Sequence, residues 1–237
     1  MRKVILVLGI VVGSVSLMQA QTLVPRIGTT ISTTTIEQPN NEDQSGKITS
    51  QTGITFGFGY NVSVKALGKV MFSLQPELTY IQKGYVISTA GEYQIGEPIY
   101  RYTGESKFTI NYFEIPVLAK FEFGGDKVKV GAFAGPSIGF GLGGKYTTVF
   151  NINKDEEGTE THKYEGDIVF YRPDGEVDKT ELDHNIDFGV QMGASVTLMK
   201  YVQIDVRYGL GLTDVNHDDE SKNRVLQFGV SVPITIK

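Results

Sequence analysis

Two short motifs in the sequence match patterns that carry chemistry in enzymes. Residues 135–139 read Gly-Pro-Ser-Ile-Gly, the G-x-S-x-G pattern of a serine nucleophile, and residues 139–144 match the G-x-G-x-x-G pattern of a dinucleotide site. Each pattern works only where a strand turns into a helix, which presents the serine or donates amides to a phosphate. Both motifs here lie in a run that alternates like a strand, so the sequence predicts no catalytic or cofactor-binding role for them.

Metal-binding patterns are similarly incomplete. Asn151, Asn153 and Asp155 begin like a calcium loop, but Glu156 stands where the loop needs a glycine and His162 where it needs a glutamate. The acidic run 217–220 could hold a cation that bridges to lipopolysaccharide phosphates, although such runs are usually only solvated.

The chain has three histidines, His162, His184 and His217, and none has a spacing that supports a serine–histidine triad. We therefore expect no enzyme activity, no metal site and no cofactor.

Charged residues that share one face of an alternating pattern are more informative. They are Arg26, Glu77, Glu114, Lys120, Glu122, Asp187, Asp205 and Arg207. If this face lines the inside of a small barrel, the charges must pair or meet water, because an isolated buried charge is too costly. Eight strands leave an interior just wide enough for side chains to fill. The sequence predicts a polar network that plugs the lumen, with a narrow polar pore as the alternative.

The elements that carry these residues are predicted β-strands. Apolar residues recur at every second position in eight segments, with glycine, small polar residues and the charges between them. Each segment is close to the ~9–11 residues that a tilted transmembrane strand needs. The segments are Leu23–Ser32, Ile54–Lys65, Val70–Tyr80, Thr109–Phe123, Val128–Leu142, Ile186–Leu198, Tyr201–Leu212 and Leu226–Ile236.

The connections between these segments alternate between short and long. The short ones are Leu67–Lys69, Gly124–Lys127 and Met199–Lys200. The long polar ones are Ile36–Lys47, Val86–Lys107, Lys145–His184 and Asp214–Asn223. Outer-membrane barrels have short periplasmic turns and longer outer loops, and an even strand count puts both termini on the periplasmic side. The pattern predicts an all-β fold, an eight-stranded antiparallel up-and-down transmembrane barrel, with a soluble sandwich or calyx as the alternative.

The first twenty residues indicate export. Arg2 and Lys3 precede an uncharged, mostly apolar run that ends before Ala20, the layout of a secretory signal peptide. We therefore predict a signal peptide over 1–20 and an outer-membrane β-barrel domain over 21–237. The net charge of −5 argues against nucleic acid as a partner, and the absence of cysteine excludes disulfides and thiolate chemistry.

Five strings carry a family resemblance: residues 74–80, 112–120, 134–139, 205–212 and 223–229. Together they resemble the outer-membrane β-barrel family of Bacteroidetes, the porin-family or PorT-like proteins. The resemblance implies a barrel in the cell outer membrane and brings no catalytic residue with it. The member that named the family works with a protein-secretion and gliding apparatus.

The resulting hypothesis is an integral outer-membrane protein with a structural or partner-docking role, as an accessory of secretion or adhesion. The alternatives are a narrow porin-like channel for small solutes and, less favoured, a lipid-modifying enzyme. The expected partners are outer-membrane lipid, lipopolysaccharide and other envelope proteins. Pro76 and Pro116 lie within predicted strands, and since proline lacks a ladder donor we expect a β-bulge at each.

Overall fold

The computed structural model describes residues 21–35, 44–94, 99–154, 158–170, 179–181, 185–214 and 221–236. The predicted signal peptide over 1–20 lies outside these residues and stays a prediction. No helix among the described residues is long and apolar enough to cross a membrane.

Eight strands close into a ring. They are β1 (Gln21–Thr35), β2 (Gln44–Leu67), β3 (Val70–Gln94), β4 (Ile99–Gly124), β5 (Val128–Lys154), β8 (Ile186–Leu198), β9 (Val202–Gly211) and β10 (Lys222–Ser231). Each pairs antiparallel with the next, and β10 returns to β1. A short β11 (Ile234–Ile236) continues the pairing with β1. The prediction of an eight-stranded antiparallel barrel is confirmed.

The sheet continues outward beyond the ring. Beyond its pairing with β8, β5 continues outward and pairs with β6 (Gly158–Val169). A three-residue β7 (Lys179–Glu181) runs parallel to the end of β6. At the other end of the barrel the connections are short. The β8–β9 turn, for example, is closed by Met199 and Lys200 in left-handed conformations with φ of 50° and 65°.

The apolar face of every ring strand points away from the axis. Many large hydrophobic side chains of the ring are 39–67% exposed. Examples are Ile27, Phe56, Phe58, Phe113, Val117, Phe188, Ile204, Phe228 and Val230. The alternate positions are buried and polar, so the interior is hydrophilic and the exterior is apolar. This arrangement excludes the soluble sandwich or calyx, whose apolar face would be inward, and it suits a surrounding of hydrocarbon.

Two of the long connections are largely strand, so predicting them as loops was wrong. Strand β3 runs on to Gln94 and β4 begins at Ile99, inside the predicted loop 86–107. Strands β5 and β6 likewise occupy much of 145–184. These stretches alternate too, but with aromatic residues on the inner side and charges on the outer side. Because the polarity of the two faces is reversed, a search for a continuous outward apolar face does not detect these strands.

The predicted bulges at the two prolines are also absent. The β3–β4 register is the same before and after Pro76, and the β4–β5 register is the same on both sides of Pro116. The β3–β4 ladder is interrupted only between the Pro76–Val117 and Thr79–Glu114 pairs. Proline thus removes hydrogen bonds here without inserting a residue. The register shifts lie elsewhere, in β2 and in β5, where Leu142 is the extra residue opposite the Asn111–Tyr112 step of β4.

Candidate functional site

A charged cluster of four residues crosses the middle of the lumen. The Arg26 guanidinium donates from Nη2 to Asp205 Oδ2 at 2.8 Å and from Nε to Oδ1 at 3.0 Å. Arg207 donates from Nε to the same carboxylate at 3.0 Å and binds Glu77 through both terminal nitrogens, at 2.5 and 3.1 Å. Two cations and two carboxylates from β1, β3 and β9 balance one another, so the cluster can be buried without an uncompensated charge.

Neutral side chains complete the coordination of this central cluster. Gln227 accepts from Arg26 at 3.2 Å, and Gln75 donates to Glu77 at 2.7 Å. The Phe133 ring lies 5.1 Å from the Arg207 guanidinium carbon, within cation–π range. The carboxylates therefore have partners from several strands, and these contacts tie opposite walls of the barrel together.

A second cluster lies nearer the outer end and is centred on Lys83. Its ammonium contacts Glu114 Oε1 at 2.5 Å and Asp187 Oδ2 at 2.9 Å. Gln191 donates to Glu114 and Asn223 donates to Asp187, at 2.8 and 2.9 Å. One cation thus serves two carboxylates, and amide donors supply the remaining hydrogen bonds. A space of about 10 Å³ beside this cluster has room for about one water molecule.

The third charged group lies towards the periplasmic end. Lys120 donates to Gln203 Oε1 at 2.6 Å and pairs with Glu122 at 3.2 Å. The Lys120 side chain is buried, whereas Glu122 is partly exposed at the mouth of the barrel. All eight charged residues that the sequence singled out therefore lie on the inner face, divided among three separate groups.

An apolar layer lies in the lumen next to the Lys83 cluster, whose ammonium is 4.8 Å from the centroid of the Tyr112 ring. Its buried members are Ile81, Ile110, Tyr112, Ile168 and Val225. Phe108, Tyr146 and Phe170 pack against this layer. Ile168 and Phe170 come from the segment that returns from the outer hairpin, so the strand beyond the ring also supplies part of this layer.

Sequence reasoning missed Lys83 and this apolar layer. The predicted strand ended at Tyr80, three residues before Lys83. Extending the alternation by three more residues would have put Lys83 on the same face as Glu77. The signal is weakened by Ile81, an apolar residue on the inner face that breaks the polar-inside pattern.

The motifs that were discounted lie on strands. Ser137 is on the inner face of β5 and is buried, and no described histidine contacts it. Asn151 is on β5 rather than in a loop and accepts a hydrogen bond from Thr161 at 2.7 Å. His162 lies on β6, 3.9 Å from Glu160. Among the residues that the structure describes, no group of histidine, aspartate or glutamate has the arrangement of a metal site. His184 and His217 lie outside those residues.

Outside the ring, β2 to β6 form a sheet that we call the outer extension, residues 44–50, 85–94, 99–108, 145–154 and 158–167. At about 3.3 Å per residue it continues roughly 30 Å along the strands. Its inner face carries cross-strand aromatic pairs with centroid separations of 5.0 to 5.4 Å. The pairs are Tyr85–Phe108, Tyr93–Tyr100 and Tyr102–Phe150.

The outer extension ends in an open edge at β6. One side of β6 pairs with β5 over Gly158–Ile168. On the other side, within the part of the chain that the structure describes, only Asp167–Val169 pair, with β7. Residues 158–165 are exposed, and in an antiparallel strand every second residue directs its backbone N–H and C=O to the side away from the paired neighbour, so this edge can pair with another strand.

Residues 19–217 match the family model of the outer membrane protein beta-barrel domain. The chain belongs to this family. The match covers most of the chain, including every charged residue of the three lumen groups, and it places the protein in the outer membrane, as the sequence predicted.

The chain is also similar, at low sequence identity, to several solved structures. The attachment invasion locus protein Ail of Yersinia pestis is 11% identical, with 92% of this chain and 100% of that chain covered and a TM-score of 0.37. Neisserial surface protein A is 11% identical, with 89% of this chain and 96% of that chain covered and a TM-score of 0.31. The outer membrane enzyme PagL is 12% identical, with 88% of this chain and 97% of that chain covered and a TM-score of 0.31. No curated protein matches the chain.

Proposed function

We propose that this outer-membrane barrel is a non-conducting anchor whose outer extension docks a partner protein. The observation that carries the proposal is the contrast between the closed lumen and the open edge of β6. The lumen is crossed by paired charges and covered by an apolar layer, whereas β6 presents an exposed backbone edge beyond the membrane. Residues 158–165 are therefore the proposed docking strand.

Strand addition is the binding mode that this edge favours. An extended peptide segment that adds to a sheet edge gains main-chain hydrogen bonds, and its alternate side chains then contact the two faces of the sheet. The inner face offers the half-buried aromatic rings, and the outer face offers Thr161, Lys163 and Glu165. The resemblance to PorT-like proteins supports an accessory role in secretion or adhesion, in which the partner is another envelope protein or an exported chain.

The wall of the ring has a separate proposed role, contact with lipid. Its exposed apolar side chains would lie against the hydrocarbon, and the extension would stand among the head groups and sugars of the outer leaflet. No catalytic role is included in the proposal, because the buried charged residues are engaged with one another rather than aimed at an accessible cleft.

In-cell photo-cross-linking tests the docking strand. A cross-linking amino acid replaces Lys163 on the edge strand, and the matched control replaces Lys107, an exposed lysine on the central strand β4 of the same extension. We expect a discrete cross-linked protein at position 163 and little or none at 107. Equal products at both positions, or none at position 163, would contradict docking at this edge.

A further inference from the structure

The periplasmic mouth of the barrel contains a pocket that the docking role does not use. Its volume is about 170 Å³, more than the share of about five water molecules in the liquid. All eight ring strands or their connections contribute to its wall, so the pocket lies on the barrel axis. On the side towards the central charged cluster, Asn61 donates to Gln75 at 3.0 Å, and Gln75 in turn donates to Glu77 at 2.7 Å.

Positive charge dominates this pocket. Lys120, Lys129 and Lys200 line it, and Glu122 is the carboxylate among its described lining residues. Lys120 is buried, so its ammonium is partly withdrawn from water. Lys200 also pairs at 2.8 Å with Asp126 in the neighbouring turn, which does not line the pocket. The wall thus has an excess of about two positive charges before this outside partner is considered.

Polar groups that do not carry charge surround these lysines. The hydroxyls of Thr22, Ser63, Thr197 and Thr235 and the amide of Gln203 line the same space. A narrow mouth with walls of low dielectric constant strengthens the field of like charges inside it. The pocket therefore combines a positive potential with hydroxyl and amide donors, which is the chemistry that holds an oxyanion.

We propose that the periplasmic mouth is a binding site for a phosphate group. A phosphate monoester carries about −1.5 to −2 charges at pH 7, and the lining residues supply an excess of about two positive charges, which falls to about one while Lys200 is paired with Asp126. Lys120 would bind it from the floor of the pocket, and Lys129 and Lys200 from the rim. Glu122 and the Lys200–Asp126 pair keep the empty pocket from carrying three unbalanced cations.

Two sources could supply such a phosphate, a soluble phosphate compound in the periplasm or the head group of a lipid in the inner leaflet. The pocket opens along the barrel axis, which favours a soluble ligand, while Lys200 at the rim lies where a head group could reach. The shared chemistry is the phosphate group, and the two arms of the experiment separate the sources.

Binding of inorganic phosphate to the full chain, refolded in a non-ionic detergent, tests the site. The pocket variant combines Lys129→Gln and Lys200→Gln, which leaves the buried Lys120 in place so that the barrel can fold. The matched control combines Lys69→Gln and Lys127→Gln, two exposed lysines in the periplasmic turns that do not line the pocket. Calorimetry or phosphorus NMR reports the affinity of each protein.

We expect saturable binding by the unchanged chain, about tenfold weaker binding by the pocket variant, and a change of less than about twofold in the control. No binding by the unchanged chain would overturn the proposal. So would an equal loss in both variants, because that result indicates general attraction of the anion to the basic turns.

The second arm repeats the titration with the protein in phosphatidylcholine vesicles, with and without phosphatidic acid. Competition by phosphatidic acid supports the site and assigns it to a lipid head group. Unchanged phosphate affinity also supports the site and assigns it to a soluble ligand. Both results require that the pocket variant binds less tightly than the control in the same vesicles.

Discussion

The membrane ring and the outer extension are formed by the same strands but have opposite polarity. Along β4, the outward side chains change from Val117 and Phe113 in the ring to Glu105 and Thr103 in the extension. The inward side chains change from Lys120 and Glu114 to aromatic rings. The ring closes on itself, whereas the extension ends in an open edge at β6.

The difference follows from the solvent around each region. Hydrocarbon offers no partner for backbone amides and carbonyls, so the ring must close, while water can satisfy an open edge. Apolar side chains outside the ring meet lipid, and the polar side chains must therefore collect in the lumen and pair there. Above the membrane, water surrounds both faces, and the aromatic residues pack against one another across neighbouring strands instead.

The largest expected effect comes from breaking the central ion-pair cluster. Arg207→Ala leaves Glu77 and Asp205 buried without one of their cations, and we expect a loss of about 3–5 kcal/mol in the free energy of unfolding. Urea unfolding of the refolded barrel measures the change. In the extension, Lys163→Ala removes an exposed pair with Glu165 and should leave the free energy of unfolding nearly unchanged. Similar losses in the two variants would contradict the contrast between the regions.

A charge placed on the outward face should distinguish lipid from water. Val117→Arg puts a cation on the ring surface near the middle of its membrane span, and we expect a cost of about 2–4 kcal/mol in a bilayer. Thr103→Arg makes the same kind of change on the same strand, fourteen residues closer to its start by sequence number, and should leave stability nearly unchanged. If position 103 were as sensitive as 117, the hydrocarbon would extend further than the account allows.

Loss of an aromatic pair should loosen the extension without unfolding the ring. Tyr100→Ala removes the ring that stacks on Tyr93 at 5.2 Å, an interaction worth about 0.5–1.5 kcal/mol beyond its buried area. We expect faster amide hydrogen exchange in residues 86–94 and unchanged exchange in residues 114–120. Faster exchange throughout the barrel would show that the two regions unfold together.

The smallest effect concerns an exposed pair in the extension. The hydrogen bond from Lys163 lowers the pKa of Glu165 below its ordinary value, so the pair stabilises the folded chain above the ordinary glutamate pKa and loses this contribution as the pH falls through the lowered value. Lys163→Gln should raise the pKa of Glu165 towards 4.5. Carbon NMR of the carboxyl group measures it, with Lys107→Gln as the control. An unchanged pKa in Lys163→Gln would show that the pair does not persist in solution.

Sequence reasoning reached the ring more fully than the extension or the pairing inside the lumen. The alternation of residues 201–212 fixes which face is apolar, and that parity puts Asp205 and Arg207 on the same face as each other. It carries no information about the partner across the axis, because the contact between Arg207 and Glu77 depends on the stagger of strands that are far apart in sequence. Lys83 was missed because Ile81 interrupts the polar face at the end of the ring.

The extension was missed for a related physical reason. A transmembrane strand is recognised in a sequence by a continuous apolar face. Residues 99–108 and 145–154 have no such outward apolar face, because they lie beyond the membrane. Their strand character comes from aromatic and β-branched residues that pair with neighbouring strands. At the two prolines the sequence predicted an irregularity that is absent. Pro76 and Pro116 suggested β-bulges, but the strand register is the same on both sides of each.

Ionic conductance in a planar bilayer tests the central claim most directly. The refolded unchanged chain should insert without stepwise current, because paired charges cross its lumen and an apolar layer covers the outer end. A variant that combines Glu77→Ala and Arg207→Ala removes one carboxylate and one cation from the central cluster together but leaves the apolar layer in place, so current through this variant would show that the charged cluster is the main barrier. Stable, reproducible channels formed by the unchanged chain would contradict a closed lumen and support the narrow pore instead.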